Sequence, residues 1–138
     1  MKPKVYFSRT ITAQKVLELY QLLGVTLPGK VAIKVHSGEE GNQNFLRPAF
    51  WKPVVEFVGG TVTECNTAYK GARDTTEKHL ELFKKHGWSE YFEVDLLDAQ
   101  GPDWELDIPH GKQIKKNFVG KDLKNYDSIL VLSHFKGH

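Results

Sequence analysis

The sequence of 138 residues has only one cysteine, Cys65, and this scarcity excludes several kinds of protein. A lone cysteine cannot form an internal disulfide, and it cannot by itself hold an iron–sulfur cluster, which needs about four thiolates. No segment approaches the roughly 20 consecutive apolar residues of a membrane span. The N-terminal segment MKPKVYFSRT also lacks the apolar core of a signal peptide. We therefore expect a cytoplasmic protein that has no membrane partner.

An excess of charge of one sign is also missing. The 19 Lys and Arg residues nearly balance the 17 Asp and Glu residues, which gives a net charge of +2. Nucleic-acid-binding domains usually carry a concentrated basic stripe, so no nucleic-acid partner is expected. The dinucleotide-binding GxGxxG pattern, the Walker lysine pattern and the GxSxG elbow of serine hydrolases are absent as well.

Short β-branched runs alternate with helical patterns along the chain, which is typical of βαβ units and a parallel sheet. Strands are predicted over residues 5–9, 31–36, 61–66, 92–97 and 128–132. The first predicted helix begins at Thr10 or Thr12 and stops at Gly24. The second has Pro48 in its first turn. The third begins at Asp74, which forms a capping box with Glu77, and runs through His86. The predicted fold is α/β, with a mostly parallel sheet flanked by helices in three layers and a small irregular or hairpin insertion near 102–120. Residues 1–138 are expected to form a single domain.

Polar residues follow several of the predicted strands. In open α/β sheets, ligands bind outside the carboxyl ends of the strands, so these residues are expected to share one cleft. The residues predicted to bind a ligand there are Lys34, Asn42, Asn66, Thr67, Tyr69, Arg73 and Lys136, with Asp95 and Asp98 nearby. A structural role is the alternative for each, and for Asn42 left-handed turn geometry is the favoured interpretation.

Three residues of this cleft are candidates for proton transfer: His36, Glu39 and His134. A metal site is predicted from His36, Glu39, His134 and His138, since His134 and His138 are four residues apart, although Gly137 weakens a helical interpretation. A half-buried strand histidine and a solvated loop acid are the simpler alternatives for His36 and Glu39. The other histidines, His79, His86 and His110, are expected at the surface or at helix caps, and Cys65 is expected to be a buried small residue.

Three segments together resemble a known family: VAIKVHSGEEGNQNFLRPAF, TECNTAYKGARDTTEKHLELFKKHGW and ILVLSHFKGH. They resemble the domain-of-unknown-function 362 family, whose members are often labelled uncharacterised iron–sulfur-centre proteins. The family's motif positions fall on Lys34, His36, Gly38, Glu39, Gly41, Asn42, Asn66, Thr67, Tyr69, Arg73, His134, Lys136, Gly137 and His138. The resemblance implies an α/β domain that is commonly followed by more of the same domain and often by a cysteine-rich [4Fe–4S] segment, but it implies no catalytic role. We therefore expect the chain to be the N-terminal portion of a longer architecture, with any [4Fe–4S] cluster supplied by sequence absent from this chain.

Three functional hypotheses follow from the sequence. The first is a domain of a redox-associated iron–sulfur protein, with a polar cleft that binds a divalent metal or a small anionic ligand. The second is an enzyme that uses Glu39 with His36 or His134 for acid–base or metal-assisted chemistry. The third is a non-catalytic interaction module, which would associate with a second copy or with a missing C-terminal half.

Overall fold

The computed structural model describes residues 2–135. The helices are α1 (Ala13–Leu23), α2 (Pro48–Val58) and α3 (Thr76–Lys85). The strands are β1 (Val31–Lys34), β2 (Thr61–Glu64), β3 (Val94–Leu96), β4 (Trp104–Asp107), β5 (Lys116–Val119) and β6 (Ser128–Val131), and short 3-10 helices cover Trp88–Glu90 and Lys121–Asn125. Within the described residues, no helix is both long and apolar enough to cross a membrane.

Four of the strands form one sheet in the order β3-β2-β1-β6, and every neighbouring pair is parallel. Ile33 of β1 lies opposite Val62 of β2 on one side and Leu130 of β6 on the other. Strands β4 and β5 pair antiparallel as a separate two-stranded sheet. The predicted α/β fold and the hairpin near 102–120 are confirmed. Because the four strands are parallel, their carboxyl ends open onto a single edge of the sheet.

Local sequence signals explain where the helices begin and end. The Thr12 side chain caps α1 by accepting a hydrogen bond from the backbone N–H of Lys15, and α1 ends at Gly24 in the left-handed conformation. Pro48 occupies the first turn of α2, where its missing N–H costs nothing. The predicted cap of α3 was wrong by one residue. Thr75, not Asp74, accepts the capping hydrogen bond, because its backbone has the extended conformation that a cap needs.

The core lies between one face of the sheet and the helices. Alternation along a strand places Ile33 and Val62 on this face, where they pack with Trp51 and Val54 of α2 and Phe83 of α3. The opposite face carries Ala32, Lys34, Ile129 and Val131, since these residues alternate with the core residues and are in register with one another. The β4–β5 hairpin and the 3-10 helix that follows it lie over this second face. Helices, sheet and hairpin thus form the three layers.

The predicted strand over residues 5–9 was wrong. These residues have no regular secondary structure, and Val5 and Phe7 are 85% and 81% exposed. Val5 lines the same cavity as Leu130 and Val131 of β6, but the segment forms no ladder with that edge strand. A β-branched or aromatic run becomes a strand only when a neighbour satisfies its backbone groups, so residue type alone was an insufficient signal.

Candidate functional site

A buried carboxylate, Glu64, marks the edge where the strands of the sheet end. It is the last residue of β2 and is only 4% exposed. Lys34 Nζ lies 2.8 Å from Glu64 Oε2, and Arg73 Nη1 lies 3.2 Å from Oε1. The backbone N–H groups of Ser37 and Cys65 donate to the same carboxylate at 3.3 and 2.8 Å. The group is therefore held by two cations and two backbone donors.

The surroundings of Glu64 keep it ionised. Burial alone would raise the pKa of this carboxyl group, because an apolar environment disfavours a charge. The His36 ring, whose Nδ1 lies 3.7 Å from Oε1, the Lys34 ammonium and the N–H of Cys65 outweigh burial. Together they lower the pKa of Glu64 to about 2. Glu64 is therefore a fixed negative charge at any physiological pH.

Arg73 connects Glu64 to a second carboxylate, Glu39. Its guanidinium donates to Glu39 Oε1 through Nη2 and to Glu64 through Nη1. The Tyr69 hydroxyl also donates to Glu39 Oε1, at 3.0 Å. Burial would raise the pKa of Glu39, but the hydrogen bonds and charge of Arg73, helped by Tyr69, lower it. Two carboxylates and two cations, Lys34 and Arg73, thus balance one another at this edge.

A small cavity opens beside this ion-pair cluster. We call it the rim pocket; its volume is about 180 Å³, and it is lined by Lys34, Val35, His36, Val131, Leu132, Ser133 and His134. The rings of His36 and His134 have centroids 6.4 Å apart. Lys34 Nζ donates to the carbonyl of Val35 at 2.7 Å as well as to Glu64, which leaves one of its three N–H bonds unused by these two acceptors. Residues at the carboxyl ends of β1 and β6 therefore meet at the rim pocket.

A buried hydrogen-bond network supports the loop after β1. His79 is fully buried, with Nε2 2.9 Å from the Ser37 hydroxyl and Nδ1 3.2 Å from the side-chain oxygen of Asn66. Trp88 Nε1 donates to the Ser37 carbonyl at 3.1 Å. Burial lowers the pKa of His79 to about 4, so its ring is neutral near pH 7. The prediction that His79 is a surface or cap residue was wrong, because His79 lies on the same face of α3 as the buried Leu82 and Phe83.

Several predicted ligand-binding residues make hydrogen bonds within the loops themselves. Asn42 accepts from the N–H of Asn44 at 2.8 Å, and the Thr67 hydroxyl donates to the carbonyl of Tyr69 at 3.0 Å. The Asn66 side chain donates to Thr76 at 3.1 Å. These bonds fix the loops that carry Glu39 and Arg73. The predicted residues Lys136, Gly137 and His138 lie outside the described residues.

The structure describes three of the four residues of the predicted metal site. Among residues 2–135, no three His, Cys, Asp or Glu side chains are arranged to hold a metal ion. His36 and His134 are neighbours, and Glu39 is bound to Arg73 and Tyr69. The fourth predicted ligand, His138, lies outside the described part of the chain. Metal binding therefore stays a prediction.

Sequence reasoning missed Glu64, which is the most contacted charge of the site. A signal was present, since Val62 and Glu64 are two residues apart on a strand and must share a face. A carboxylate on the core-facing side of a strand requires partners, because an unpaired buried charge is very costly. Lys34 and Arg73 had been identified as polar residues of the cleft, but not as the partners of this carboxylate.

Comparison with protein families decides the classification of the chain. The family model for a domain of unknown function, number 362, matches residues 31–138. The chain belongs to this family. No curated protein and no solved structure matches it.

The matched region of this domain-of-unknown-function 362 protein contains the whole candidate site. It begins at Val31, the first residue of β1, and includes every strand of both sheets. The predicted family resemblance is thus confirmed. Helix α1 precedes the matched region.

Proposed function

We propose that the rim pocket of this domain binds a small anion, with Lys34, His36 and His134 as the binding side chains. The observation that supports this proposal is that the nearby carboxylates are already paired with cations. Glu64 and Glu39 are both already bound by Arg73, and Glu64 also by Lys34. The polar groups that line the rim pocket are therefore basic or neutral.

The charge balance favours an anion over a metal cation. Lys34 and Arg73 cancel the charges of Glu39 and Glu64, so neither carboxylate has an unpaired charge that would attract a cation to the pocket. A divalent cation would instead meet the ammonium group of Lys34 at close range.

Titration calorimetry with inorganic phosphate and with acetate tests this proposal. We expect Lys34→Met to weaken binding of both anions by about 10-fold or more, since a hydrogen bond from a charged donor contributes roughly 1.5–3 kcal/mol. His134→Gln is a second variant that leaves Glu64 and its partners untouched. Lys52→Met is the matched control, because Lys52 is an exposed lysine of α2 that pairs with Glu56.

Two outcomes would overturn the proposal. One is the absence of anion binding by the unchanged chain at pH 6, and the other is equal binding by the unchanged chain and both pocket variants. Stoichiometric Zn²⁺ binding that is lost in His36→Ala and His134→Ala, without anion binding, would instead support the predicted metal site.

The iron–sulfur association and the acid–base chemistry stay predictions. The matching family is described only as a domain of unknown function, so the match indicates no cofactor. Cys65 alone cannot hold a cluster. Glu39 is ionised and bound to Arg73, which makes it a poor proton donor, so a catalytic role would fall to the imidazoles of His36 or His134.

A further inference from the structure

A second cavity lies between the sheet and the β4–β5 hairpin layer. Its volume is about 400 Å³, and we call it the hairpin pocket. Ile129 and Val131 of β6 line it, with Leu97 directly after β3. The other layer contributes Phe118, Val119 and Leu123. These side chains make its wall predominantly apolar, as is usual for small-molecule sites.

The hairpin pocket adjoins the rim pocket. Lys34 and Val131 line both cavities, because they lie side by side in register at the carboxyl ends of β1 and β6. A molecule whose charged group sits near Lys34 could therefore extend along the sheet face beneath the hairpin. The two cavities together have one polar end, which carries the Lys34 ammonium and the rings of His36 and His134, and one apolar end.

The apolar wall is left partly open to solvent. Phe118 is 59% exposed, Ile129 48% and Val131 58%, although all three line the same cavity. Covering apolar surface is worth about 25 cal/mol per Å². An apolar group that fills the pocket would therefore bind favourably.

The polar groups on the wall of the hairpin pocket indicate how a ligand would be oriented. Burial, with the charge of Asp98 nearby, raises the pKa of the Cys65 thiol to about 11, so that group is neutral. Asp98 is negative and accepts a hydrogen bond from the backbone N–H of Asn66 at 2.9 Å. An anionic group is thus disfavoured beside Asp98 and favoured beside Lys34.

We propose that the ligand is an amphipathic organic acid, which places its carboxylate in the rim pocket at Lys34 and its apolar tail in the hairpin pocket. This proposal rests on the proposed function, because it requires an anion at Lys34. A water molecule occupies about 30 Å³ in the liquid, so a 400 Å³ cavity has room for on the order of ten non-hydrogen atoms. A tail of about six to ten carbons fits this volume.

Calorimetric titration of the full chain with octanoate, acetate and 1-octanol tests the proposal. We expect octanoate to bind at least 10-fold more tightly than acetate, because its additional methylene groups would leave water for the apolar wall of the hairpin pocket. We expect 1-octanol to bind at least 10-fold more weakly than octanoate, because it has no charge for Lys34. Acetate reports the rim pocket alone, so its binding tests the proposed function separately.

Two variants locate the tail. Ile129→Trp would fill the hairpin pocket, and Phe118→Ser would remove part of its wall. We expect each variant to bind octanoate about as weakly as it binds acetate. Acetate binding itself should stay unchanged. Ile114→Ser is the matched control, because Ile114 is 66% exposed and does not line the pocket.

Three results would overturn the proposal while the proposed function stands. They are octanoate binding no tighter than acetate, 1-octanol binding as tightly as octanoate, and octanoate binding that neither pocket variant weakens. If neither acetate, phosphate nor octanoate binds, both proposals fail.

Discussion

Arg73 and Glu64 form a buried ion pair at the strand edge, with 3.2 Å between Arg73 Nη1 and Glu64 Oε1. Their side chains are only 7% and 5% exposed. A buried charge whose partner is removed is left uncompensated, so this pair has strong consequences for mutation. The pair also fixes the position of the guanidinium that binds Glu39, and thereby the loop after β1.

Glu64→Gln is expected to destabilise the protein by about 3 kcal/mol or more, because it leaves Arg73 and Lys34 without their shared counter-charge. Urea unfolding followed by fluorescence measures this change. Glu105→Gln is the control, since it removes one of the two carboxylates near Lys116 in an exposed pair and should cost less than about 1 kcal/mol. Equal losses in the two variants would show that Glu64 is not the anchor we describe.

The stability of the protein should fall as the pH drops from about 6.5 to 4, because of His79. The pKa of His79 is about 4 in the folded chain, whereas the ordinary histidine value of 6.5 applies in the unfolded chain. Between these two values the unfolded chain binds a proton at His79 and the folded chain does not. Unfolding is therefore favoured by acid, by up to about 3 kcal/mol for this residue.

The variant His79→Gln isolates this effect, because glutamine cannot take up a proton. We expect its free energy of unfolding to change less between pH 7 and pH 5 than that of the unchanged chain, by on the order of 2 kcal/mol. The comparison removes the contribution of the other histidines, which both chains share. Identical pH dependence in the two proteins would argue that the His79 ring is not buried in its neutral form.

Gly38 should be far less tolerant of alanine than Gly41, although both have positive φ angles, of 95° and 75°. A Cβ at Gly38 would lie 2.9 Å from His86 Nδ1 and from the ring of Phe45, whereas a Cβ at Gly41 meets nothing within 4 Å. Gly41→Ala should cost about 1–2 kcal/mol from backbone strain alone, and Gly38→Ala about 1–3 kcal/mol more from the clash. Thermal or urea unfolding of both variants measures the two losses of stability. A similar loss in Gly38→Ala and Gly41→Ala would contradict the expectation.

The Cys65 thiol should react slowly with disulfide reagents in the folded protein. Burial and the neighbouring Asp98 raise its pKa to about 11, so at pH 8 only about one thiol in a thousand is ionised, and the thiolate is the reactive form. We expect the rate at pH 8 to be at least about 100-fold lower than in the urea-unfolded chain. A folded chain that reacts as fast as the unfolded one would place Cys65 in an exposed, polar setting instead.

Much of the fold could be predicted from the sequence because local signals specify it. Thr12, Pro48 and the glycine after each of the first two helices mark helix ends, and the apolar runs mark the parallel strands. The predicted strands were longer than those observed: residues 31–36 were predicted where β1 covers Val31–Lys34. Residue type continues to favour a strand beyond Lys34, but the ladder stops where the polar loops begin.

The site was harder to predict because its contacts are not local. Lys34, Glu64 and Arg73 come from two strands and a loop, and only the sheet register brings them together. The buried position of His79 had a local signal, because Leu82 and Phe83 follow it by three and four residues and share its face of α3. Its partners Ser37 and Asn66 come from two other loops, so that part of its environment depends on tertiary packing. The meeting of His36 and His134 followed from one general rule, that parallel strands end at a common edge.

The most direct measurement of anion binding is an NMR titration of the histidine ring signals with acetate at pH 6. We expect saturable shifts of the His36 and His134 signals, since these rings lie together beside Lys34. The exposed His110, in the connection between β4 and β5, should not shift. Shifts of all three histidines to the same extent, or of none, would contradict an anion site at this edge of the sheet.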